Sequence, residues 1–296
     1  MGFPFVGEAF GFFTPHKSLS IGNFLQQRCS RYGKVFKSYI FGSPTIISCD
    51  LELNKFVLQK EGKLFQSSYP KPIRDILGEH SLMIVTDVER HKKLRRIEVG
   101  LINKFSSTSN FLGYETTSGL LSLLVYFLAQ SPQALQTLKD EHLAIRKKKK
   151  EGEPLNWEDY KQMEFTTMVI NETLRCGNLV KFVHREAIKD VKFKGYHIPA
   201  GWKVLPILSA VHLEPSLHEN PSEFNPWRWT VVPFGGGSRL CPGSELGKLE
   251  ASFLLHYLLL NYRWTMKEEE YPMLYPFMDF PKGLLIALET ETTNVN

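Results

Sequence analysis

One cysteine stands where a chain would stabilise a thiolate. Cys241 lies behind three glycines and an arginine in "PFGGGSRLCPGSELGKLE", which starts at Pro233, and a long apolar helical pattern follows at once. The positive end of a helix dipole and free backbone N–H groups favour the charged sulfur there. Glycines let the backbone approach a large flat ligand closely. Arg239 sets a cation two residues before the sulfur, suited to a ligand carboxylate. Phe234, Gly237, Arg239, Cys241 and Gly243 thus make the spaced set Phe-x-x-Gly-x-Arg-x-Cys-x-Gly. A structural cysteine beside a glycine-rich turn is the plainer reading of the same letters.

Three further constellations carry chemistry-bearing side chains. "NETLR" places Glu172 and Arg175 at i,i+3 on one helix face, a spacing that solvated helix pairs also show. "GYETTS" puts Glu115 beside Thr116, an acid–alcohol pair able to relay protons. A threonine there can also bond a preceding carbonyl and open the helix locally; a helix N-cap cluster fits the same residues. "HKKLR" puts His91 and Arg95 at i,i+4 on one face, which with the neighbouring lysines also reads as a solvated basic surface.

The cysteine loop resembles the haem-binding loop of the cytochrome P-450 monooxygenases, and the other motifs follow in that family's order. The resemblance implies a mainly α fold with small β-sheets, and haem b with Cys241 as the axial ligand of the iron. It implies that Glu172, Arg175 and Arg228 of "FNPWRW" form a structural triad that sets the register of the loop leading to the cysteine. It further implies that His91, Arg95, Arg185 of "VHREAIKD" and Arg239 hold the haem propionates. Glu115 and Thr116 would lie on the distal helix and handle protons during oxygen activation. "GNLVKF" from Gly177, and Phe280, would border the substrate pocket. Within the family, "VKFVHREAIKDVKFKGYHIPAGWKVLP" and "VHLEPSLHENPSEFNPWRW" resemble the plant brassinosteroid C-22 hydroxylases. That branch implies hydroxylation of a sterol-like side chain with O2, electrons from NADPH–cytochrome P-450 reductase, and residence at the endoplasmic reticulum membrane.

The chain also departs from the family's pattern. Arg95 and Thr116 are 21 positions apart (116 minus 95), where the family has a far longer segment supplying the roof and lid of the substrate pocket. Here "INKFSSTSNFLGYETTS" joins the two ends. Arg228 and Phe234 are only 6 apart (234 minus 228), and Leu112 replaces a small residue near the oxygen site. The expected domain is therefore a single incomplete one over 1–296. Residues 1–105 would hold a hairpin and helices; residues 111–296 would hold the distal helix, the Glu-x-x-Arg helix, the cysteine loop and a terminal hairpin. Loss of the roof predicts exposed apolar surface at Leu120, Leu121 and Leu124. A non-catalytic haem-binding or interaction remnant is the rival to the enzyme.

The elements that must position these groups are locally signalled. "SIGNFLQQRCSRYG" reads as a helix ending at Gly33, and "KVFKSYIF-GSP-TIISC" as a hairpin around Gly-Ser-Pro. Asp50 is placed to cap the next helix, and a helical pattern runs from Asp87 to Phe105. Ser131 with Pro132, and Asn156, are placed to start two more, the second running through "WEDYKQMEFTTMVINETLRC". The lysine run "IRKKKKEGE" fits a helix C-terminus, or with Lys248 a basic face for an acidic reductase. Hydrophobic residues make up 43% and charged residues 23% of 296, so the chain is globular. The net charge of +5, without a basic and aromatic stripe, points away from nucleic acid. The four cysteines match neither a zinc ribbon nor a disulfide framework. The N-terminal stretch reads as neither a signal peptide nor a membrane anchor, and "GLLSLLVYFLAQ" is too short to span a bilayer.

Overall fold

The computed structural model describes residues 7–78, 80–102, 110–228, 234–275 and 277–291. In chain order, α1 (Ala9–Phe12), β1 (His16–Lys17) and α2 (Asn23–Tyr32) lead into the hairpin β2 (Val35–Ile40) and β3 (Ser43–Ser48). Then come α3 (Leu51–Gln59), β4 (Phe65–Ser67), α4 (Lys71–Leu77) and α5 (Val88–Ile102). The long helices α6 (Asn110–Ala129) and α7 (Pro132–Lys147) precede α8 (Trp157–Lys161) and α9 (Glu164–Gly177). Short strands β5 (Arg185–Ala187), β6 (Val191–Phe193), β7 (Tyr196–Ile198) and β8 (Lys203–Pro206) follow, then α10 (Leu208–His212) and α11 (Ser244–Asn261). The described chain closes with β9 (Tyr262–Met266), β10 (Met273–Leu274), β11 (Met278–Asp279) and β12 (Ile286–Thr290). This is the mainly α fold with small sheets that the sequence implies.

The largest sheet has five strands in the order β2-β3-β8-β5-β4, antiparallel except where β3 runs parallel to β8. Its hairpin turns one residue earlier than Gly-Ser-Pro: Phe41 and Gly42 both have positive φ, and Ser43 and Pro44 already pair as strand. A left-handed phenylalanine is unusual; Phe41 is held by ring contacts to Phe12, Phe13 and His184. Asp50 caps α3 by accepting from the Leu53 N–H at 2.8 Å. Asn156 and Asp159 form a full capping box, but the helix it opens ends at Lys161, and α9 starts afresh at Glu164. Ser131 makes no side-chain cap to α7.

The helical core joins Leu120, Leu124 and Leu128 of α6 to α7, α9, α11 and Trp264. Leu120 and Leu124 are therefore buried, against the expectation of an exposed distal face. Apolar residues nearly encircle α6, so its periodicity does not say which side is covered. The lysine run ends α7: Lys149 is buried against Asp159 at 2.7 Å and Glu153 at 3.1 Å, and Lys148 donates to Gln162. Lys148 and Lys149 are thus paired at the helix terminus, while Lys147 and Lys150 are exposed. Residues 103–109, which hold most of the splice, and the Leu112 side chain lie outside what is described. Among the described residues no helix is long and apolar enough to cross a membrane.

Candidate functional site

The cysteine loop runs from Phe234 through a 3-10 turn at Gly237–Arg239 to Cys241, whose N–H donates to the Phe234 carbonyl at 3.1 Å. Helix α11 starts three residues later, and Gly243 gives its N-terminus no side-chain cap. Gly237 has φ +69°, and a Cβ there would lie 2.2 Å from the Leu58 carbonyl oxygen. Its missing side chain thus lets the loop seat on the end of α3, which the sequence reading did not foresee. Gly243 has ordinary backbone angles and open space where its Cβ would be. Phe234 packs on the helical core, with the Lys248 ammonium 5.3 Å from its ring centre. Lys248 also meets Glu245 at 3.3 Å and is largely covered, so it offers little to a docking partner.

At this loop the fold gathers His91 and Arg95 of α5, Arg185 of β5 and the loop's own Arg239, three segments in all. The Arg95 guanidinium on α5 donates to the Leu240 carbonyl at 2.6 Å and so ties that helix to the cysteine loop. Arg239 donates to Glu61 at 2.8 Å and to the carbonyls of Leu82, Met83 and Val85. Arg185 on β5 approaches the other Glu61 oxygen at 2.7 Å. Burial first, then Arg239, Arg95 and Arg185, push the His91 imidazole down to about 4. Burial raises the nearby Tyr69 hydroxyl, with Arg185 and Arg239 opposing it. Glu61 and Tyr69 carry no local sequence signal: Glu61 meets Arg239 across 178 positions.

The haem that the resemblance implies can be set against this pocket. Two guanidiniums, of Arg185 and Arg239, converge on the Glu61 carboxylate, and a third, of Arg95, is held on the adjoining loop, which leaves a surplus of two positive charges around one carboxylate. The Arg185–Glu61 approach is close but misaligned, so neither Arg185 Nε nor Glu61 Oε2 makes a hydrogen bond. A buried charged donor without a bond is costly. A ligand bringing two carboxylates would answer both the charge surplus and the orphaned donor. The residues present fit the two propionates of haem, with Cys241 on the adjoining loop.

The Glu172, Arg175 and Arg228 side chains meet in one buried cluster. Arg175 grips both Glu172 oxygens at 2.8 Å and donates to the carbonyls of His212, Pro221 and Glu223. Arg228 Nε reaches Glu172 Oε1 at 3.0 Å. This cluster clamps the segment 212–228 onto α9, ahead of the cysteine loop. The distal pair lies elsewhere: Glu115 and Thr116 are both exposed on the first turns of α6. Phe280 is buried in a cluster with Leu123, Tyr126, Phe127 and Cys176. Of "GNLVKF", Val180 is exposed, while Lys181 is buried against His16 at 2.7 Å.

The Cytochrome P450 family model matches residues 1–110 and 101–290. Cytochrome P450 724B1 of Oryza sativa subsp. japonica is 38% identical over 435 positions, covering 97% of this chain and 90% of its own length. Cholesterol 22-monohydroxylase CYP90B52 of Paris polyphylla is 36% identical over 438 positions, covering 98% and 92%. Steroid (22S)-hydroxylase of Brachypodium distachyon is 35% identical, covering 97% and 86%. The first of these comparisons runs 139 positions beyond the 296 residues of this chain (435 minus 296). A long internal segment of that relative thus has no counterpart here, and the family model's two matches meet at the splice. In fold, the chain is similar to retinoic acid bound cyanobacterial CYP120A1, with a TM-score of 0.81 at 20% identity over 98% of both chains. The matching family model, the relatives spanning nearly the whole sequence and the shared fold all give one answer: this chain belongs to the cytochrome P450 family.

Proposed function

We propose that this cytochrome P450 is a steroid side-chain hydroxylase whose haem-holding half is assembled and whose distal half is short. The observation that carries the reading is the cation-surplus pocket of Arg95, Arg185 and Arg239 beside the Cys241 loop. In this reading the Cys241 thiolate would hold the iron of haem b. The arginines and neutral His91 orient the carboxylates of the bound group, and Glu172, Arg175 and Arg228 hold the loop in register. When bound, haem supplies the activation of O2, with electrons from an NADPH–cytochrome P-450 reductase. Thr116 holds a proton at its hydroxyl for that chemistry, and Glu115 resupplies it. A sterol is the substrate class, on the strength of the relatives' names. Residence at the endoplasmic reticulum membrane is part of the same proposal and rests on the family alone.

Exposure of Glu115 and Thr116 qualifies the rate. Oxidation of an unactivated C–H bond needs the substrate held close and water kept out. The test is to express the chain with a plant reductase, NADPH and a panel of 22-deoxy sterols. A version with a relative's segment inserted between Ile102 and Asn110 runs beside it. The inserted version should hydroxylate a side chain, and the short chain should be slower by about tenfold or more. Equal rates would mean that another element closes the distal side. No sterol product from either would overturn the substrate class.

A further inference from the structure

Two cysteines outside the haem half lie side by side. Cys29 sits near the end of α2, and Cys49 directly follows β3. Between them the chain folds back at a tight corner. The Gly33 N–H closes α2 on the Cys29 carbonyl at 2.9 Å, and the Cys49 N–H donates to the Lys34 carbonyl at 2.7 Å. Val35 then pairs with Ser48. This corner packs both side chains into the cluster of Phe12, Leu25, Phe36 and Ile47, where the two thiols influence each other. No disulfide joins them. Cys49 is buried, whereas Cys29 is half-exposed.

The surroundings give the two sulfurs different roles. The neighbouring Cys49 lowers the Cys29 thiol, with Lys34 adding to it and burial and Glu214 opposing. Cys29 and burial raise the Cys49 thiol strongly. Lys34 is paired with Glu214 at 2.6 Å, and Lys181 lies behind Cys49. Cys29 is thus the sulfur that faces solvent, and Cys49 is the buried one beside it. A solvent-facing thiol with a second cysteine packed beside it is the arrangement of peroxide-sensitive sites.

We propose that Cys29 and Cys49 form a peroxide-reactive dithiol that closes to an intramolecular disulfide. The Cys29 thiolate attacks hydrogen peroxide; the O–O bond breaks, and the departing hydroxide takes up a proton to become water. This leaves a sulfenic acid on Cys29. The Cys49 sulfur then attacks the Cys29 sulfur, the S–O bond breaks, and a second water leaves with the Cys49 proton. Two thiols and one hydrogen peroxide become one disulfide and two waters, with the thiols oxidised and the peroxide reduced. Two cysteines packed into one cluster at a folded corner need little backbone movement to reach bonding geometry. The bond would staple α2 to the end of β3.

The experiment treats the full chain with a small excess of hydrogen peroxide, denatures it, blocks free thiols with iodoacetamide and maps the peptides by mass spectrometry. The expected result is a Cys29–Cys49 linked peptide pair that dithiothreitol separates, with Cys176 and Cys241 alkylated. In Cys49→Ala, dimedone should trap a sulfenic acid on Cys29. The proposal is overturned if both cysteines are alkylated after peroxide, or if Cys29 links to a different cysteine or to a second chain. The wild-type map decides the matter even if Cys49→Ala folds poorly.

Discussion

Glu172→Ala is expected to cost about 3–5 kcal/mol, a large share of the roughly 5–15 kcal/mol that holds a native protein together. Glu172 and Arg175 are fully buried. Burial alone would raise the Glu172 carboxyl, but hydrogen bonds and charge from Arg175, the Asn225 N–H and Arg228 hold it below its ordinary value. Removing the carboxylate strands the Arg175 guanidinium in the core and releases the Asn225 N–H, which donates to Glu172 at 2.9 Å. The cost comes from what is left behind unpaired, not from the worth of the pair itself. Arg228 is partly exposed, so Arg228→Ala should cost less. Urea unfolding followed by far-UV circular dichroism measures both. A Glu172→Ala midpoint equal to that of the wild type would contradict the role given to this cluster.

Acid should destabilise the fold well before its carboxylates titrate. Burial, then His256, pushes His142 down to about 3. Burial, then Arg185 and Lys203, pushes His184 to about 4. Burial, then Arg175 and His218, pushes His212 to about 4. Each is held neutral by specific neighbours. His142 Nδ1 meets His256 at 3.0 Å and its Nε2 meets Thr166. His184 lies among the rings of Phe41, Tyr69 and Phe182. His212 Nδ1 meets the Asn178 side-chain oxygen at 2.8 Å. In the unfolded chain these groups take up protons near pH 6.5, whereas the folded chain refuses them until about pH 4 or below. The unfolded state thus binds more protons through that window, and stability falls as pH drops through it. The slope is about 1.4 kcal/mol per pH unit for each histidine, so the three together remove several kcal/mol between pH 6.5 and 5. Urea midpoints at pH 7.5, 6 and 5 should fall steadily, and His142→Asn should flatten the trend. Midpoints that do not move between pH 7.5 and 5 would refute this.

What the sequence reveals depends on how local the cause is. The Asp50 cap, the Asn156 box and the β2–β3 pairing are written within a few residues of each other and are legible. The i,i+3 spacing of Glu172 and Arg175 is legible too, but their complete burial is not. That comes from the carbonyls of His212, Pro221 and Glu223, 37 to 48 positions away. Glu61 goes unseen because its meaning lies in two arginines, at 185 and 239, that only the five-stranded sheet and the cysteine loop bring to it. Leu120 and Leu124 are misplaced by the sequence because a helix apolar on nearly every side gives no direction. Gly237 is recognised as special for a different reason from the one the fold gives it, the close approach of Leu58.

The claim on which the rest depends is that Cys241 presents a thiolate to haem beside the arginine pocket. It is tested by the reduced carbon-monoxide difference spectrum of the purified, haem-supplemented chain and of two variants. The wild type and Cys29→Ala should both show the thiolate-type carbonyl band, while Cys241→Ala should lose it. Retention of that band in Cys241→Ala, or its absence from the wild type while haem is bound, would contradict the account.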